Sequence, residues 1–136
     1  MEDYSLSALE VVEAEAIHAL REAAAEFERP VMLLAADPGS AVLLRLAQKA
    51  FHPGRIPFPT TTEAARAVAE HDCVIRSERR DEGKAGQVFA TRAPRPELWD
   101  LYNGRLTPGE RALVFPLANW AALDLERYLA LEGLAL

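Results

Sequence analysis

The sequence predicts an α/β domain built on a parallel sheet, and three stretches carry that expectation. Residues 31–36 form an apolar run too brief for a helix; Asp37-Pro38-Gly39-Ser40 breaks it, and residues 41–51 then confine Arg45, Gln48 and Lys49 to one helical stripe. A second short buried run, residues 72–75, follows a small helical pattern, so a helix joins two strands, which implies parallel pairing and a right-handed crossover. A third run, residues 113–117, leads into a helical pattern over residues 120–131. Strand, tight loop and helix in that order place backbone N–H groups and the positive end of a helix at the carboxyl end of a strand, where α/β proteins hold phosphates.

In chain order, Ser7-Ala8-Leu9-Glu10 has the spacing of a capping box and opens the first helix. Leu9, Val12, Ala16, Leu20, Ala23 and Phe27 make its apolar face, and Pro30 ends it. His18 lies in this helix with no Cys or second His at ligand spacing, so it reads as an ordinary exposed or packed histidine rather than a metal ligand. Between the second helix and Thr60, residues 52–59 carry three prolines and a glycine and must be an extended connection. Thr60-Thr61-Thr62 before Glu63 offers a cap for a short helix ending near Glu70. Asn103-Gly104 and Pro108-Gly109 mark turns, Asn119 can cap the last helix, Leu125, Tyr128 and Leu129 form its inner face, and Gly133 closes it. There is no internal repeat and no second domain: residues 1–136 read as one.

Composition narrows the function classes. At 136 residues the chain holds one core, half its residues are hydrophobic, and no apolar run approaches the ~20 residues of a membrane span. The acidic N-terminus lacks the basic and apolar regions of a secretory signal, so a cytoplasmic location and no membrane partner are expected. The lone Cys73 sits in an apolar run and reads as a packed thiol. Residues 1–28 hold eight carboxylates against one Arg, whereas residues 29–136 hold fourteen basic and thirteen acidic side chains, so the acidity belongs to the first helix. Residues 76–95 carry six basic and three acidic side chains, an excess suited to a phosphate or sulfate rather than to a nucleic-acid backbone, which needs a broad basic face.

The densest cluster, Arg76-Ser77-Glu78-Arg79-Arg80-Asp81-Glu82-Gly83-Lys84, leaves the carboxyl end of the second strand beside the first strand's loop. Both would face one crevice, with Ser40 across from Arg79, Arg80 and Lys84. As a loop alone it would be a solvated charge cluster.

Four segments carry a family resemblance: EAEAIHALREAAAEFERPVMLL, LLRLAQKAFHPGRIPFP, RRDEGK and RPELWDLYNGRLTPGERALVFPLANW. In this order they resemble the small subunit, subunit 2, of bacterial sulfate adenylyltransferase (ATP sulfurylase), of the PP-loop group related to phosphoadenylylsulfate reductases. The resemblance runs from about Glu13 onward. It implies a three-layer adenine-nucleotide α-hydrolase-like fold and adenylyl transfer from ATP to sulfate, with ATP and Mg as cofactors if that activity is kept. It also implies a GTP-binding large subunit as partner, and Ser40, Arg79, Arg80, Asp81, Glu82 and Lys84 as nucleotide- or sulfate-binding residues. No catalytic residue or metal site is assigned.

Three departures qualify that. The family's Gly-Lys-Asp-Ser-Ser type loop is here Asp37, Pro38, Gly39, Ser40 and Ala41, in which Pro38 removes an amide donor, the lysine is gone and Asp37 adds negative charge. Where the family continues after its Phe-Pro pair through two strands and a helix, this chain passes from Pro59 to Asp72. The usual strand order 3-2-1-4-5 would shrink to 1-4-5, near the ~3 strands a sheet needs, leaving the first strand as an exposed edge that a homo-oligomer or other complex would cover. Finally, Arg76 and Ser77 replace the glycines before the arginine pair, and the family's C-terminal tail is missing. The leading expectation is a truncated, non-catalytic relative that binds a partner or an anion; the alternative is an active sulfate adenylyltransferase subunit, and a partial gene product without activity is a third.

Overall fold

Short apolar runs separated by helices can satisfy their backbone groups by lining up side by side, and this chain does so in one mixed sheet. The computed structural model describes residues 6–82, 88–92 and 111–134. The elements are α1 (Leu6–Glu26), β1 (Pro30–Leu33), α2 (Pro38–Phe51), β2 (Thr60–Thr61), α3 (Ala64–Glu70), β3 (Cys73–Ile75), a 3-10 turn (Arg80–Glu82), β4 (Phe89–Arg92), β5 (Arg111–Val114) and α4 (Ala122–Glu132). The sheet order is β2-β1-β3-β5-β4. The first four run parallel, with Val31 beside Val74 and Val74 beside Leu113, and β4 lies antiparallel to β5. This is the expected α/β three-layer arrangement on a reduced sheet.

Parallel strands are covered on both faces, which is why β3 reads as an unbroken apolar run. Met32, Cys73, Ile75, Ala112 and Val114 bury under α1, α2 and α4, against Leu20, Leu43, Leu46, Leu125 and Tyr128. Val31 and Val74 point the other way and pack on Ala67 of α3. Cys73 is buried, and burial together with the nearby Asp72 carboxylate pushes its thiol well above the ordinary range. His18 is 74% exposed, as an ordinary surface histidine is.

Several expectations change. β1 is interior, not an edge: Met32 and Leu33 pair with Thr60 and Thr61 of β2, so the premise for an oligomer covering a bare β1 falls away. Thr60 and Thr61 enter this strand, and the cap position of α3 is Glu63, whose backbone N–H donates to Thr61 Oγ1 at 3.1 Å. Helix α2 starts at Pro38, three residues early, because Asp37 caps it. Helix α1 already includes Leu6, which puts Ser7 inside the helix rather than at its cap. The third run is shifted, β5 ending at Val114 before Pro116, and β4 was not foreseen. Helix α4 begins at Ala122; Asn119 instead donates to Glu15, at 3.0 Å, and Trp120 is core, its Nε1 donating to Val12 O at 3.1 Å. The expected turns at Asn103-Gly104 and Pro108-Gly109 lie outside the described residues.

Candidate functional site

Strand order fixes where a crevice must open. From β1 the chain crosses through α2 to β2 on one side, whereas from β3 it proceeds to β5 on the other, so the carboxyl ends of β1 and β3 form the switch point of the sheet. A cleft of about 370 Å³ lies there, lined by Asp37, Pro38, Gly39, Ser77, Glu78, Arg79, Glu82 and Leu125. The β1–α2 turn, the segment after β3 and the first turn of α4 each supply a wall.

The α2 wall is built by Asp37. Its backbone is extended, and its Oδ1 accepts from Ser40 N at 2.7 Å while Pro38 occupies the first helical position. Of the first-turn amides, Pro38 has none and Ser40 is committed to Asp37, so Gly39 supplies what remains. Gly39 sits close to Ser77: a Cβ there would come within 3.4 Å of Ser77 Cβ and O. Ser40 is 4% exposed and lies beneath the cleft. Its hydroxyl accepts from Ala35 N at 2.8 Å and is 3.5 Å from Ser77 Oγ, joining the two loops.

The wall after β3 is a chain of internal ion pairs. Arg76 donates twice to Glu78, at 3.0 and 2.7 Å, and this carboxylate raises the guanidinium above its ordinary value. Arg79, 14% exposed, donates from Nε to Asp81 Oδ1 at 2.9 Å, and its backbone N–H donates to Glu82 Oε1 at 2.9 Å. Asp81 is shared, since its Oδ2 accepts from Ala122 N, the first amide of α4, at 3.1 Å. Arg80 is exposed, and its backbone N–H holds Ala118 O at 2.8 Å.

Of the candidate residues, Arg79 and Glu82 therefore line the cleft and Ser40 supports its floor. Asp81 turns to α4, Arg80 stands at the surface, and Lys84 lies outside the described residues. Sequence reasoning placed Ser77 and Glu78 in the stretch facing the crevice but gave them no role, missed Leu125 as lining, and read Asp37 only as a charge. Asp followed by Pro, with Ser three positions on, is an N-cap signature that would have found that role. Among the lining side chains three carboxylates face one guanidinium, a balance poorly suited to a polyphosphate. Among the described residues no group of three or more His, Cys, Asp or Glu gathers as a metal site, and no helix is long and apolar enough to cross a membrane.

The fold defines an α/β domain with a cleft at the switch point between its first two core strands. The chain is a relative of sulfate adenylyltransferase subunit 2. It is 36% identical to the proteins of that name from Mycobacterium tuberculosis (strain ATCC 25618 / H37Rv), Mycobacterium bovis (strain BCG / Pasteur 1173P2) and Mycobacterium sp. (strain JLS), over 98% of this chain and 64% of each relative. It thus spans just under two thirds of their length. The match extends over 199 residues against 136 in the whole chain, so the relatives carry additional residues inside the matched span. No protein-family model matches.

Proposed function

We propose that this chain is a non-catalytic relative of sulfate adenylyltransferase subunit 2, keeping a PP-loop scaffold without its polyphosphate site and acting through association with another protein chain. The observation that carries this reading is the Asp37 carboxylate 2.7 Å from Ser40 N, which takes a first-turn amide of α2 and adds negative charge where a phosphate would settle. Pro38 withholds a second amide.

Association is supported by the relatives' name, which describes one member of an assembly. The partner is a large subunit of the GTP-binding kind, in the cytoplasm. Among the described members of the candidate set Ser40, Arg79, Arg80, Asp81, Glu82 and Lys84, Arg79 is the cation that lines the cleft.

Calorimetry with ATP and magnesium tests the proposal. ATP binding weaker than ~100 μM is expected, whereas a dissociation constant in the low micromolar range, worth ~7 to 8 kcal/mol, would overturn the non-catalytic reading. Pyrophosphate release on adding ATP, sulfate and a large subunit would restore the active-enzyme alternative.

A further inference from the structure

We propose that Glu78 decides what the cleft accepts: by pairing with Arg76 it withholds a cation that would otherwise draw tetrahedral anions such as sulfate or phosphate to this site. The inference rests on the non-catalytic reading of the same cleft and names a contact that enforces it. Residues 76–78 lie between the segments that carry the family resemblance, and Arg76 and Ser77 stand where the family has glycines, so this contact belongs to the present chain. Glu78 lines the cleft and Arg76 does not, so the carboxylate is the member of the pair that faces it. Arg76 donates from Nε to Glu78 Oε1 at 3.0 Å and from Nη2 to Oε2 at 2.7 Å, which engages both carboxylate oxygens with one guanidinium. The two side chains are 29% and 24% exposed, so solvent and salt screen the pair less than they would on an open surface.

The backbone that carries this pair is pinned on both sides. Arg76 N donates to Val114 O at 2.8 Å, extending the pairing of β3 with β5 by one residue, and Arg80 N donates to Ala118 O at 2.8 Å. Between them Ser77 lies against the start of α2, where a Cβ on Gly39 would come within 3.4 Å of it and its Oγ is 3.5 Å from Ser40 Oγ. Glu78 is thus fixed at the cleft wall by its loop as well as by Arg76. A bidentate partner in the same loop competes for Arg76 at an effective concentration that a free anion does not readily match. Removing the Glu78 charge takes away one of the three lining carboxylates and leaves the Arg76 guanidinium without that partner, in the same loop as Arg79.

Calorimetric titrations of sodium sulfate at matched ionic strength test this on the parent, Glu78→Gln, Glu78→Ala and the double variant Arg76→Gln, Glu78→Gln. Each single variant is expected to bind sulfate about tenfold more tightly than the parent, and the double variant to return to within about twofold of it. Thermal melts identify the folded variants, and either glutamate replacement decides the question should the other fail to fold. Equal affinity in the parent and the glutamate variants overturns the inference. So does a gain that the double variant keeps, because it would trace to the lost carboxylate alone and not to a released Arg76. Low-micromolar ATP binding by the parent would overturn the non-catalytic reading instead, leaving the ratio of sulfate affinities among the variants to be judged by itself.

Discussion

The Lys49 ammonium lies 2.6 Å from Glu132 Oε2, tying the last turn of α2 to the last turn of α4. The same ammonium is 2.8 Å from Glu13 of α1 and 5.0 Å from the centre of the Tyr128 ring, while Arg45 donates to the other Glu132 oxygen at 3.0 Å. One cation thus joins three helices on the covered face of the sheet. Burial alone would lower the Lys49 pKa, but hydrogen bonds to Glu13 and Glu132 outweigh it and hold the group above its ordinary value. Replacing Lys49 with Met keeps the volume and removes the cation between Glu13 and Glu132, leaving Glu13 with the Tyr128 hydroxyl and Glu132 with Arg45. We expect a loss of about 2 kcal/mol, measured by urea denaturation; a loss under ~0.5 kcal/mol would mean the network is incidental.

Glu132 gives this network a pH signature. Hydrogen bonds from Lys49, working against a burial penalty and joined by those from Arg45, lower its pKa below the ordinary 4.5. A carboxylate with a depressed folded-state pKa contributes stability that is fully present above its unfolded pKa and is lost as pH falls through the folded value. The parent should therefore lose stability progressively below about pH 4.5. Glu132→Gln should be less stable at pH 7 and show a shallower decline across that acid limb. Parallel curves for the two proteins would show that another group governs the acid limb.

The element types were legible because burial on both faces writes itself as short apolar runs, and the inner faces of α1 and α4 because their spacing follows the helical period. The two-residue β2 was not, since Thr60 and Thr61 gain a strand only by pairing with Met32 and Leu33, a partnership with no local signal. For the same reason β1 was misplaced at an edge. Within the cleft, Arg79 and Glu82 were visible as charges, but whether a charge faces solvent or its neighbour depends on side-chain geometry. Asp81 shows the limit best: its partner Ala122 is 41 residues away and has no side-chain chemistry to announce it.

Gly133 offers a test of backbone conformation in isolation. It closes α4 in the left-handed region at φ 66°, donating its N–H to Ala130 O, and a Cβ placed there would meet nothing within 4 Å. The cost of Gly133→Ala must then come from the dihedral alone, about 1 kcal/mol, with no change in the packing of Tyr128. A thermal melt that drops by far more would mean that the end of α4 bears contacts beyond its cap.

Arg79 and Arg80 are adjacent in sequence and opposite in circumstance, and separate substitution should divide them. Arg79 is 14% exposed and donates to Asp81, which in turn receives the start of α4, so Arg79→Ala removes a bond that orders the carboxylate capping a helix. We expect a loss of about 1 kcal/mol and faster hydrogen exchange at Ala122. Arg80 is exposed, and the hydrogen bond by which it holds Ala118 O comes from its backbone, which alanine keeps, so Arg80→Ala should change stability by less than ~0.5 kcal/mol. If Arg80→Ala proves as costly as Arg79→Ala, the side chain of Arg80 has a structural partner and the division drawn here between the two arginines is wrong. If neither substitution has any effect on stability or on exchange at Ala122, the Arg79 to Asp81 pair is a passive surface contact and does not order the start of α4.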